Sequence, residues 1–177
     1  MMTKKDTVSW ITQKKWLIMG VVAGLLLGFD QLTKEVAIFY LKGQPAYTFL
    51  GDTFRLQYAE NKGAFLSLGA GMSEGFRFWF LGVIVLVFLF IYTYHLLKGN
   101  PSREVVVGIS LVVGGGVSNL IDRFFRANGS VIDFMNIGVG SLRTGIFNIA
   151  DIAIMTGILF LFYHSWSSKK KKTEEHQ

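Results

Sequence analysis

Two carboxylates, Asp133 and Asp151, bracket the stretch SVIDFMNIGVGSLRTGIFNIAD, residues Ser130 to Asp151. Each sits among apolar neighbours and beside a strongly hydrophobic run. A carboxylate at the edge of a membrane segment is costly, so it needs a partner or a task. If a Gly-rich connection folds the two together, like-charge repulsion keeps a single proton between them. One carboxylate could then activate water while the other protonates a peptide carbonyl, which is the chemistry of aspartic proteases. Two other readings stand beside it. Asp151 lies in the first turn of an apolar helix, at the favourable end of the dipole and just after a candidate N-cap, Asn148, so capping alone accounts for it. The pair could also relay protons in a transporter.

Other polar residues gather at the ends of apolar runs. Asp30 and Lys34 are four apart and share a helix face, as do Asn119 and Asp122, three apart. Arg123 could fork onto a carboxylate of another helix. Taken alone, these are ion pairs that hold helix ends and the loops above them. His95, His164 and His176 are scattered, so a histidine metal site is not expected. No phosphate-binding glycine loop with its lysine and no G-x-S-x-G elbow occurs.

The elements that must position these residues are set by hydrophobicity. The chain has 177 residues, of which 51% are hydrophobic and 17% charged, with a mean hydropathy of +0.41. A soluble domain carries about 25% charged residues, so the expectation is a polytopic membrane protein forming a single domain over 1–177. Four spans follow, about 16–38, 75–97, 105–121 and 146–166. A basic start before an apolar run also describes a secretory signal peptide. Here no small-residue cleavage pattern follows, and the first run continues through Asp30–Lys34 into an apolar tail. The stretch from Tyr40 to Met72 mixes glycine, Pro45 and many aromatics, and Thr53 to Ala59 alternates as strands do, which reads as a small sheet at the bilayer surface. Phe124 to Gly145 reads as a second large loop. The glycines at 114–116 suit close helix packing in lipid.

The net charge of +6 clusters beside the spans, at both termini and in the turn 98–103. That is the pattern of membrane topology rather than of nucleic-acid binding. The positive-inside rule makes the termini cytoplasmic and puts the sheet, Ser130–Asp151 and the polar span ends on the outer face. With no cysteine, no disulfide or thiolate-ligated metal is possible.

Five motifs in order, DQLTK from Asp30, NKGA from Asn61, SNLIDR from Ser118, VIDF from Val131 and FNIAD from Phe147, resemble lipoprotein signal peptidase, also called signal peptidase II, over nearly the whole chain. The resemblance implies an all-α membrane fold of four transmembrane helices. It adds an extracytoplasmic β-sheet cradle and a periplasmic-side loop or short helix. It implies an aspartic endopeptidase of the bacterial cytoplasmic (inner) membrane that removes the signal peptide from diacylglyceryl-modified prolipoproteins, cutting just before the lipidated cysteine. The dyad falls on Asp133 and Asp151. Asp30, Lys34, Asn61, Gly63, Asn119, Asp122, Arg123 and Asn148 match supporting or substrate-binding positions. No metal or other cofactor is implied; the partners are prolipoproteins and membrane lipids, and the protein is expected to be a monomer. The chain departs from the family after Gly63, where Ala64-Phe65-Leu66 lacks one small residue before the Phe, and Arg143 inherits no role. The alternative reading is a small proton-coupled membrane transporter or helix-bundle scaffold.

Overall fold

A computed structural model describes residues 4–63, 71, 73–99 and 101–174; Ala64, Phe65 and Leu66 of the departing motif lie outside these. Among the described residues, four helices are long and apolar enough to cross a membrane: Lys4–Leu41 (apolar from Lys14), Gly75–Lys98, Arg103–Phe125 and Ile149–Glu174 (apolar to Ser168). Their outer faces are covered with large apolar side chains. Leu25, Phe29, Leu32 and Phe39 on the first helix and Phe88, Phe90 and Phe162 on the others are more than half exposed. In water such a surface would associate; in lipid it is the matched face.

The third span is the centre of the bundle, packed between the first and fourth. Ser102 caps it, its Oγ accepting from the N–H of Val105. Its glycines allow the close approach. A Cβ on Gly114 would lie 2.9 Å from Ala23 Cα of the first span, and one on Gly115 would lie 2.5 Å from the carbonyl oxygen of Ala150. Backbone therefore meets backbone where the third helix crosses the start of the fourth. The second span is less regular. It is α-helical over Glu74–Arg77, a π-helix over Phe78–Ile84, and α-helical again over Val85–Lys98.

A four-stranded antiparallel sheet caps one end of the bundle: β1 (Tyr47–Phe49), β2 (Phe54–Asn61), β3 (Val131–Val139) and β4 (Leu142–Arg143), in the order β1-β2-β3-β4. The expected large loop after the third span therefore contains the sheet's longest strand. β3 escapes a pattern search because Val131 to Asn136 are buried without a break. With both faces covered, the alternation that betrays a half-exposed strand is lost. A core of Ala37, Leu41, Phe134 and Met135, with Phe54, Leu56, Tyr58, Phe147 and Ile149 packed on it, seats the sheet on the first and fourth helices. Arg143 ties the β3–β4 hairpin to the β1–β2 turn, donating through Nε to Asn136 Oδ1 (2.5 Å) and through Nη1 to the Asp52 carbonyl (2.7 Å).

Candidate active site

Asp133 sits in β3 opposite Ala59, and Asn61 lies opposite Val131 two residues away, so Asn61 and Asp133 share a sheet face. The register slips between Leu56 and Ala59, a bulge that brings Asn61 onto that face. Asn61 Nδ2 donates to Asp133 Oδ2 at 2.9 Å, and the Asn61 oxygen accepts from the N–H of Gly63 at 3.0 Å.

Asp151 is placed by the start of the fourth helix. Asn148 Oδ1 accepts from the Asp151 N–H (2.9 Å), and Asp151 Oδ2 accepts from the Asn148 N–H (3.1 Å). This reciprocal pair is a capping box with aspartate in the glutamate place. The Asn148 side-chain nitrogen is then free to reach Asp133 Oδ1 at 2.7 Å. One buried asparagine thus holds both aspartates. Asn119 closes the arrangement: its Nδ2 donates to Asp151 Oδ1 (3.0 Å) and its oxygen accepts from Asn148 Nδ2 (3.2 Å).

Beneath the pair lies a sealed ionic cluster. Lys34, fully buried, sends its ammonium to Asp30 Oδ2 (2.7 Å), Asp122 Oδ2 (2.9 Å) and Asn119 Oδ1 (3.0 Å), so three donors meet three acceptors. Asp30 also accepts from Ser118 Oγ (2.7 Å) and from the N–H of Ala150 (2.8 Å), an orphan donor of the fourth helix. Asp122 takes the N–H of Ile132 at 3.2 Å, fastening the third span to the residue beside Asp133.

The sequence-based expectations meet the structure unevenly. Asp30, Lys34, Asn61, Asn119, Asp122, Asp133, Asn148 and Asp151 form one connected network. Arg123 does not fork onto a carboxylate. Its guanidinium donates instead to the carbonyls of Gly129 (3.2 Å) and Gly63, in the connections beside the site. The carboxylate fork belongs to Arg126, which the sequence reading missed; it binds Asp122 (2.8 Å) and Glu35 (2.7 Å). Its spacing of four from Asp122 was the available signal. Gln31, which donates to Ser118 and Asp122, stood in the DQLTK motif, but no spacing pointed to its partners, which lie far along the chain.

Burial pushes the Asp133 carboxyl up to about 7 from an ordinary 3.8, with the Asp151 charge adding to the effect. Asp133 is itself out of contact with solvent, whereas Asp151, Asn119 and Arg123 are half-buried. Asp151 lines two clefts. One, of about 270 Å³, lies between Thr144–Phe147 and the helix face of Ile152, Met155, Thr156 and Leu159. The other, of about 410 Å³, is walled by Leu81 and Val85 of the second span, Gly116, Asn119 and Arg123 of the third, and Ile154 and Ile158 of the fourth. Both are mainly apolar. Among the described residues no group of three His, Asp or Glu side chains comes together to hold a metal ion.

The sequence profile of a family described as signal peptidase II matches residues 22–167. A lipoprotein signal peptidase of Rhodococcus jostii is 34% identical over 156 residues, covering 85% of this chain and 73% of that protein. One of Treponema pallidum is 34% identical, covering 85% and 84%, and one of Syntrophus aciditrophicus is 31% identical, covering 91% and 99%. Two solved bacterial membrane enzymes share the fold. One has a TM-score of 0.73 at 23% identity, covering 87% of this chain and 90% of its own. The other has a TM-score of 0.68 at 26% identity, covering 82% and 90%. With its four apolar helices, the chain is a multi-pass bacterial membrane protein.

Proposed function

This chain belongs to the signal peptidase II family and is a peptidase, and on that premise we propose that it is an aspartic endopeptidase of a single domain. It removes the signal peptide of diacylglyceryl-modified prolipoproteins by cutting just before the lipidated cysteine. The observation that carries the assignment of the dyad is Asn148, whose backbone N–H binds Asp151 and whose side chain binds Asp133.

The pair holds one proton between two carboxyls. The ionised carboxyl takes a proton from the attacking water, and the neutral one donates its own. Water adds to the peptide carbonyl carbon as the neutral carboxyl of the pair protonates the carbonyl oxygen. Collapse of the tetrahedral intermediate then returns a proton to the leaving cysteine nitrogen. Arg123, with two donors already fixed on Gly129 and Gly63, steadies the rim of the site. The apolar clefts on either side of Asp151 give room for a signal helix and acyl chains. The basic termini and the turn 98–103 orient both ends toward the cytoplasm and the dyad toward the outer face. The proton-relay reading is less favoured, because a relay needs acids in mid-span and these sit at a helix start and in a strand.

The test is a gel-shift cleavage assay on lipid-modified precursor. Asp133→Asn and Asp151→Asn are each expected to lower the rate by about 10³-fold or more while the protein still inserts and folds. Wild-type rates in either variant would remove the assignment.

A further inference from the structure

Beside Asp151 the sheet ends in an open edge. The chain leaves β4 and runs along β3 as far as Phe147, which exchanges hydrogen bonds with Met135 (2.8 and 2.9 Å). Thr144 N–H reaches the Ile137 carbonyl at 2.7 Å, and Asn136 Nδ2 binds the carbonyls of Thr144 (2.7 Å) and Gly145 (3.4 Å). Among the described residues no hydrogen bond engages the N–H of Gly145 or either backbone group of Ile146. In an antiparallel ladder a residue next to a bonded pair turns its N–H and C=O the other way, so those of Ile146 face away from β3. Thr144–Phe147 also form one wall of the 270 Å³ cleft that holds Asp151.

We propose that the backbone of Ile146 pairs with the precursor segment at the scissile bond, adding it to the sheet as an extended strand beside Asp151. This rests on the peptidase reading and says how the bond reaches the dyad. A signal segment arrives as a helix whose backbone groups are satisfied internally, and unwinding it at the membrane leaves them orphaned. The Ile146 N–H and C=O replace the lost partners, so the helix end can open where the dyad waits. Main-chain pairing of this kind binds without reading side chains, which suits an enzyme that must process many precursors.

A scan of lipid-modified precursor peptides, each N-methylated at one residue flanking the cut, tests this. One position is expected to lose about tenfold or more in kcat/KM, the worth of a lost pairing, while its neighbours change by less than about twofold. Ile146→Pro removes the N–H and is expected to slow cleavage of the parent peptide and to blunt the effect of that methyl group. Ile146→Ala, which keeps the backbone, is expected to do neither. A flat scan with the parent peptide still cleaved, or equal behaviour of the proline and alanine variants, overturns the pairing alone. No cleavage of the parent peptide overturns the peptidase reading and the pairing with it. If Ile146→Pro does not fold, the wild-type scan decides.

Discussion

Lys34 is the residue on which the site's electrostatics turn. Its ammonium is out of contact with solvent and lies against Asp30 and Asp122, equally buried. Removing one partner of a buried ion pair leaves an uncompensated charge, which is strongly destabilising. Lys34→Met is therefore expected to cost about 3–5 kcal/mol of stability, read by thermal unfolding in detergent. Adding Asp122→Asn is expected to recover part of the loss, and no recovery would mean the lysine acts by packing alone. Asp133 works in the opposite sense. Its acid is neutral in both states at low pH. Above about 4 the unfolded chain releases the proton, while the folded chain keeps it to about 7. The native state then binds more protons, so stability falls as pH rises through that window. The Tm of the wild type is expected to drop between pH 4 and pH 7.5 by more than that of Asp133→Asn; parallel curves would contradict the raised value. Activity follows the same proton, with cleavage declining above about pH 7 as both carboxyls become charged.

At the scale of elements, the site depends on how closely the third helix approaches the fourth. Gly115 faces the carbonyl of Ala150, the residue before Asp151. Gly115→Ala puts a methyl group into that contact, and overpacking of this kind costs about 1–3 kcal/mol. The fourth helix start must move, carrying Asp151 from Asn119 and Asn148. Cleavage is expected to fall at least about tenfold, since small displacements at a catalytic group are costly. The same change at Gly20, which has open space around it, is expected to leave the rate unaltered. An equal loss at both positions would overturn the crossing as the cause, since alanine itself favours a helix over glycine. The strand β3 is the second positioning element. It is held by Asp122 through Ile132 and by Asn61 across the sheet, so the two aspartates meet at Asn148 from different kinds of structure.

At the scale of the whole molecule, the charge pattern predicts which side of the membrane each end occupies. The chain has no cysteine, so single-cysteine variants report cleanly. Ser141→Cys, in the exposed β3–β4 turn, is expected to label with a membrane-impermeant maleimide on intact cells. A cysteine at Lys169 is expected to label only after permeabilisation. The reverse pattern would invert the topology and place the site on the cytoplasmic face.

The sequence by itself marked the four apolar spans, the strand β2, the charge pattern and most of the residues that meet in the network around Asp133 and Asp151. These follow from local hydrophobicity, charge and motif, which are read along the chain. Only the tertiary structure decided three things. It made β3 a strand, because burial on both faces hides the period of two. It gave the carboxylate fork to Arg126 and left Arg123 on carbonyls, because the packing of separate segments and not proximity in sequence sets what a side chain meets. And it joined Asp133 to Asp151 through Asn148, a bond between a strand and a helix cap that no spacing along the chain encodes.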